Sequence, residues 1–274
     1  MHGSSTLIMG TAFRCDIKDV WVFVESLRRH YQGEALLLIS SRYPALAKYL
    51  VSRNVVPVFF DAPYWMRVHV QIGRYVRYGE ILRGSTRFFE RVFLTDVTDV
   101  LFQSDPFADP PAGQLLFFME HPTRTIGSDQ MNAMWVNQIY GPRGLELLKD
   151  KPISCSGTTI GAHQPLLDYV DLLLKHANPE VLARYPEYRG HDQGIHNYLL
   201  HTGALPLVQT IPNARHVYTL GAVPLEEIVL GPGGTILDPQ GLRPPIIHQY
   251  TYHPPIAQHV RSAFQPPPAA VPGA

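Results

Sequence analysis

Cysteine is almost missing from this 274-residue chain, with only Cys15 and Cys155 present. Two are too few for a disulfide framework and make no zinc site by themselves, so a reducing, cytoplasmic setting is expected. An excess of charge of either sign is also missing, because 23 Lys and Arg balance 23 Asp and Glu. Without a net positive field, nucleic acid is not an expected partner. No apolar run reaches the roughly 18 residues that a membrane-spanning helix requires, so any membrane contact should be peripheral. Met1-His2-Gly3-Ser4-Ser5 has neither the basic segment nor the apolar stretch of a secretory leader. Neither a solenoid-type repeat nor a flexible Gly/Ser linker divides the chain.

What is present is the composition of a folded protein, 45% hydrophobic and 17% charged. The first half alternates strands and helices. Residues 7–12 form an apolar run, and Asp16 then stands where it can cap a helix carrying Val20, Phe23, Val24, Leu27 and Tyr31 at helical spacing. Strands are expected over 35–39 and 55–60, with a short helix over 44–52 between them. A longer helix is expected over 67–83 and a strand over 91–95. Further on, 114–120 and 153–160 suit strands, and 164–176 and 192–201 suit helices. From 206 onward, brief apolar strands alternate with Pro and Gly. The expected architecture is a single α/β domain over 1–264, followed by a proline-rich tail, 265–274, that is expected not to pack.

Thr95-Asp96-Val97-Thr98-Asp99-Val100-Leu101-Phe102-Gln103-Ser104-Asp105-Pro106-Phe107 carries the densest chemistry. In an open α/β sheet, ligands bind beyond the carboxyl ends of the strands, which is where Asp96 and Asp99 follow the strand over 91–95. Residues three apart on an extended strand face opposite sides, so the two carboxylates converge only if the chain turns after Asp96. Such a turn suits Mg²⁺ or Mn²⁺, which take one or two carboxylates and complete their shell with phosphate oxygens and water. Asp also satisfies backbone donors in ordinary turns, and that reading stands beside the metal one.

The same segment resembles the acidic motif of GT-A glycosyltransferases, which follows a hydrophobic strand in a nucleotide-binding α/β half. The family motif is DxD; here the pair is spaced D-x-x-D, and Thr98 occupies the second acidic position. Weaker similarity runs in the same order over 7–252. Ser154-Cys155-Ser156-Gly157-Thr158-Thr159-Ile160-Gly161 resembles the small-residue strand beside the donor sugar. Gly190-His191-Asp192-Gln193 resembles the D-Q segment, and Ile246-Ile247-His248 the late segment that supplies a histidine ligand. The resemblance implies a Rossmann-like fold with a mixed central sheet. It also implies a metal-dependent transfer from a nucleotide-sugar donor to a glycan or other hydroxyl acceptor, with a lean toward retention.

On that basis Asp96, Asp99 and His248 hold Mn²⁺ or Mg²⁺. Arg74, Arg77, Tyr78, Asp96 and Gly157 contact the donor, and Asp192 and Gln193 serve the transferred sugar as catalytic residues. Each has a plainer reading. Asp192 can cap a helix, Arg74 and Arg77 can pair with Glu80 or solvent, and His248 can be an ordinary core histidine. Cys155 reads as a buried small residue, and the Tyr64-Trp65 pair as packing. His191, His196 and His201 recur every five residues, a spacing that puts them on different helix faces and argues against a zinc site. A noncatalytic nucleotide-sugar-binding protein of the same fold is the alternative. A sugar-nucleotide pyrophosphorylase fits less well, because Gly10-Thr11-Ala12-Phe13-Arg14 lacks its glycine-rich loop.

Overall fold

The computed structural model describes residues 5–60, 69–111, 113–186 and 189–264. The proline-rich tail, the Tyr64-Trp65 pair and the first two residues of the helix expected from 67 lie outside them. In chain order the strands are β1 (Thr6–Ala12), β2 (Glu34–Ile39), β3 (Val56–Phe59), β4 (Arg91–Thr95), β5 (Val100–Phe102) and β6 (Leu115–Met119). There follow β7 (Ser154–Gly161), β8 (Val208–Ile211), β9 (Val217–Thr219), β10 (Val229–Leu230), β11 (Ile236–Leu237) and β12 (Ile246–His248). The helices are α1 (Ile17–His30), α2 (Pro44–Ser52), α3 (Val70–Gly84), α4 (Gln130–Leu148), α5 (His163–His176), α6 (Pro179–Leu182), α7 (His191–His201) and α8 (Pro254–Ser262).

The protein is mixed α/β. Seven strands form one sheet in the order β3-β2-β1-β4-β7-β6-β8, with β2 parallel to β3 and β6 antiparallel to β7 but parallel to β8. This mixed sheet is compatible with a Rossmann-like fold. The chain divides into two compact units, one comprising Met1–Leu7, Ala62–Leu94 and Pro111–Asn213, the other Ile8–Asp61, Thr95–Pro110 and Ala214–Ala274.

In the second unit, α1 starts where its cap chemistry places it. The Asp16 side chain accepts from Ile17 N, and Asp19 Oδ2 accepts from Asp16 N at 2.7 Å, closing a capping box. The buried face of α1, which includes Val20, Phe23, Val24 and Leu27, packs against β5. Ser26 ties the two together, since its Oγ donates to Phe23 O and accepts from Phe102 N, both at 3.1 Å. Gly10 lies so close to the turn after β4 that a Cβ there would sit 2.4 Å from Val97 Cγ1 and 2.8 Å from Leu37 Cδ2. A glycine is therefore required by space, not by dihedral angle.

In the first unit, α4 and α7 pack together, as do α3 and α5, and α7 also lies on β7. All eight residues of β7 are buried. Several elements, α4 and α8 among them, depart from the sequence reading. No element was expected over 130–148, where α4 runs through a kink at Gly141 (φ 69°, ψ −175°) followed by Pro142. Asp129 opens this helix by accepting from Met131 N and Asn132 N. In the proline-punctuated region expected to hold only brief strands, α8 forms with Pro254 and Pro255 in its first turn, where a missing N–H costs nothing.

Candidate metal centre

Strand pairing explains how His248 reaches Asp99 across most of the chain. After β4 the chain turns through Asp96-Val97-Thr98-Asp99 and re-enters an extended path as β5. β12 lies between β5 and β9, antiparallel to the first and parallel to the second. The register sets His248 opposite Val100, the residue after Asp99. Backbone ladders therefore deliver the imidazole to the turn, and Leu220 N donates to His248 O at 2.9 Å to secure the strand end.

His248 Nε2 lies 3.6 Å from Asp96 Oδ2 and 3.8 Å from Asp99 Oδ1. One ligand atom from each of the three residues falls within 4.8 Å of the others. Cis ligands with bonds of about 2.1 Å to one ion sit roughly 3 Å apart, so a small inward rotation of the carboxylates would close the set. Two oxygens and one imidazole nitrogen make a donor set that Mn²⁺ or Mg²⁺ accepts. The His248 side chain is fully buried, whereas that of Asp96 is 36% exposed, so one side of the group is open to a ligand. The residues present thus fit a hard divalent cation. Thr98, in the second position of the stricter acidic motif, is exposed, while Val97 is buried beneath the turn.

Much of the segment after the turn is structural. Gln103 Nε2 donates to Ile236 O at 2.8 Å and Pro244 O at 2.9 Å, while its Oε1 accepts from Ile236 N at 2.7 Å. This buried amide holds β5 to β11 and to the approach of β12. Asp105 Oδ1 accepts from Phe107 N at 2.8 Å, and His216 Nε2 lies 3.0 Å from Pro106 O. Burial pushes the Tyr250 phenol up to about 12, with the Asp99 carboxylate adding to the rise.

The first unit gathers a second polar group. Arg74 Nη2 meets Asp192 Oδ2 at 2.8 Å, with side chains only 9% and 3% exposed. Ser156 Oγ donates to the same carboxylate oxygen at 3.2 Å, and Ser156 N donates to Gln193 Oε1 at 2.7 Å. Gln193 Nε2 in turn donates to Glu120 Oε1 at 3.2 Å. The cap of α7 is Gly190, at φ 98°, so Asp192 stands in the first turn and not at the cap.

Of the remaining expected residues, Arg77 pairs with the exposed Glu80 at 2.6 Å. Tyr78 is buried, with its ring edge-on to Tyr75, and Gly157 lies within β7. Cys155 is buried, as its sequence setting suggested. His196 and His201 go to separate partners: His196 to Tyr169 Oη and Ser154 Oγ, and His201 to Pro152 O. Glu120 and Ser26 were missed by sequence reasoning. Glu120 had a signal, because it directly follows β6 much as Asp96 follows β4. No known protein-family model matches the chain, and no curated protein matches it significantly.

Proposed function

We propose that this protein is a divalent-cation-dependent glycosyltransferase of the GT-A type, which takes a nucleotide-sugar as donor and a hydroxyl group as acceptor. The observation that carries the proposal is the Asp96–Asp99–His248 group at the exit of β4. In this reading Asp96, Asp99 and His248 hold Mn²⁺ or Mg²⁺, and the ion when bound neutralises charge on the departing diphosphate. Asp99 and His248 fix the inner side of the group, and Asp96 keeps the side from which phosphate oxygens enter. Asp96 would touch the donor only there.

By the sequence resemblance, Asp192 and Gln193 are assigned to the transferred sugar, with Gly157 beside it, and Arg74 to the nucleotide of the donor. Asp192 already accepts from Arg74 and Ser156. These bonds already occupy the Asp192 carboxylate, which supports retention over a mechanism in which Asp192 deprotonates the acceptor. Arg77 and Tyr78 keep their proposed donor roles only if Arg77 leaves Glu80 and the buried Tyr78 ring gains access to ligand.

The test is thermal stabilisation and donor hydrolysis with UDP-, GDP-, CMP- and dTDP-sugars, each with Mn²⁺ and with EDTA. One nucleotide class should stabilise the protein only with Mn²⁺ and release sugar slowly, and Asp99→Ala should lose both effects. Metal-dependent stabilisation without release or transfer to any hydroxyl acceptor would make the protein a binder of nucleotide-sugars. No metal-dependent response from folded protein would overturn both readings.

A further inference from the structure

His69 and His191 lie in the first unit and play no part in the transferase reading. His69 caps the N-terminal end of α3, and His191 is the first residue of α7. They are only 5% and 1% exposed, and their ring planes are inclined at 62° with centroids 5.7 Å apart. Each ring has one nitrogen engaged. His191 Nε2 lies 2.8 Å from Gln138 Oε1, and His69 hydrogen-bonds to the backbone of Leu182. The other nitrogens, His69 Nε2 and His191 Nδ1, are fully buried and make no hydrogen bond.

Neutral imidazole has one N–H and one lone pair. A backbone carbonyl can only accept, so the His69 nitrogen bonded to Leu182 is the donor and Nε2 carries the lone pair. Donation from His191 to the Gln138 oxygen leaves the lone pair on Nδ1. A ring whose far N–H is fixed by a carbonyl or amide oxygen, with its other nitrogen left bare, is the arrangement that outer-shell groups impose on metal-binding histidines.

We propose that His69 and His191 form a second cation site, selective for a borderline divalent ion such as Zn²⁺, Co²⁺ or Ni²⁺. With a metal–nitrogen bond of about 2.0–2.1 Å, each ring centroid lies about 3.2 Å from the ion. With both bare nitrogens turned to one ion, centroids 5.7 Å apart would subtend roughly 125° at it, between tetrahedral and trigonal values. Water completes the shell. Trp135, whose ring packs against Gly190, the residue before His191, also has a buried Nε1 that makes no hydrogen bond. The two helix N-termini oppose a cation, but this end effect is small beside two coordinate bonds. The nitrogen pair differs in kind from the oxygen-rich group in the second unit, so the two sites should sort ions by softness.

The test uses the full chain carrying Asp99→Ala and His248→Ala, which removes the acidic site, with folding checked by circular dichroism. Titration with Co²⁺, followed by visible absorption, should show one retained equivalent that Zn²⁺ displaces. Adding His69→Gln or His191→Gln should abolish it; adding His253→Gln, whose ring bonds to Leu220 O, should not. If either ligand variant fails to fold, Gln138→Ala decides, with an expected loss of about tenfold in affinity as His191 loses its tether. No retained Co²⁺ in the folded double variant, or retained Co²⁺ indifferent to His69, His191 and Gln138, would mean that ordered water fills the space and would overturn the proposal.

Discussion

Arg74 and Asp192 form an ion pair almost wholly removed from water. Truncating one member leaves the other charge buried and unpaired, which costs about 3–5 kcal/mol. Arg74→Ala should therefore lower the urea midpoint sharply, while a paired Arg74→Met, Asp192→Leu replacement should recover most of that loss. At the metal centre the contrast lies between neighbours: Asp99→Ala and His248→Ala should abolish Mn²⁺-dependent stabilisation, and Thr98→Ala, at an exposed position, should leave it intact. Calorimetric titration of Mn²⁺ checks all three. Asp96 and Asp99 were legible as residues, because carboxylates just past a hydrophobic strand stand out, whereas His248 was singled out only by the resemblance of Ile246-Ile247-His248 to the late family segment. The mutual distance of the three was not legible, since it depends on a ladder between residues about 150 positions apart. The Gln103 amide bonds were missed for the same reason: nothing local to a polar side chain shows which remote backbone it will meet.

Elements with strong local signals appeared where the sequence placed them. α2 spans 44–52 and β4 spans 91–95, both as read from the sequence, and the start of α1 follows from Asp16. α4 escaped because Gly141-Pro142 breaks its periodicity in mid-course, and α8 because its opening prolines read as punctuation. The contact between β1 and the turn after β4 makes a prediction of its own. Gly10→Ala forces Val97 and Leu37 aside, and overpacking of this kind costs about 1–3 kcal/mol. Because Val97 stands in the chain between Asp96 and Asp99, the carboxylates proposed to hold the ion, the same change should weaken Mn²⁺ binding although residue 10 carries no ligand. A stability loss with unchanged Mn²⁺ affinity would show that the turn repacks without moving Asp96 or Asp99.

Across the whole molecule, buried histidine sets the response to acid. His196 is stacked on Phe117 and bonded to Tyr169 and Ser154, and burial pushes it down to about 3. An unfolded histidine takes up its proton near pH 6.5, so the unfolded state binds more protons between these values. The neutral ring therefore contributes stability that is complete above about pH 6.5 and falls toward pH 3, by up to about 1.4 kcal/mol per pH unit. Urea unfolding at pH 7 and pH 5 should show the loss, and a folded His196→Gln variant should show a shallower one. The α/β class was legible from alternating periodicities, whereas strand order was not, because sheet neighbours are chosen by long-range packing. Among the described residues, no helix is long and apolar enough to cross a membrane.

The three-residue strand β12 has a consequence for synthesis on the ribosome. Both carboxylates of the metal centre are made within the first hundred residues, but their imidazole partner and the strand against which β5 pairs come only at 246–248. A nascent or prematurely terminated chain that stops short of this point carries the acidic turn without the strand that completes it. In the proposed reading, cation capture at this centre therefore waits until β12 has been made and has paired with β5.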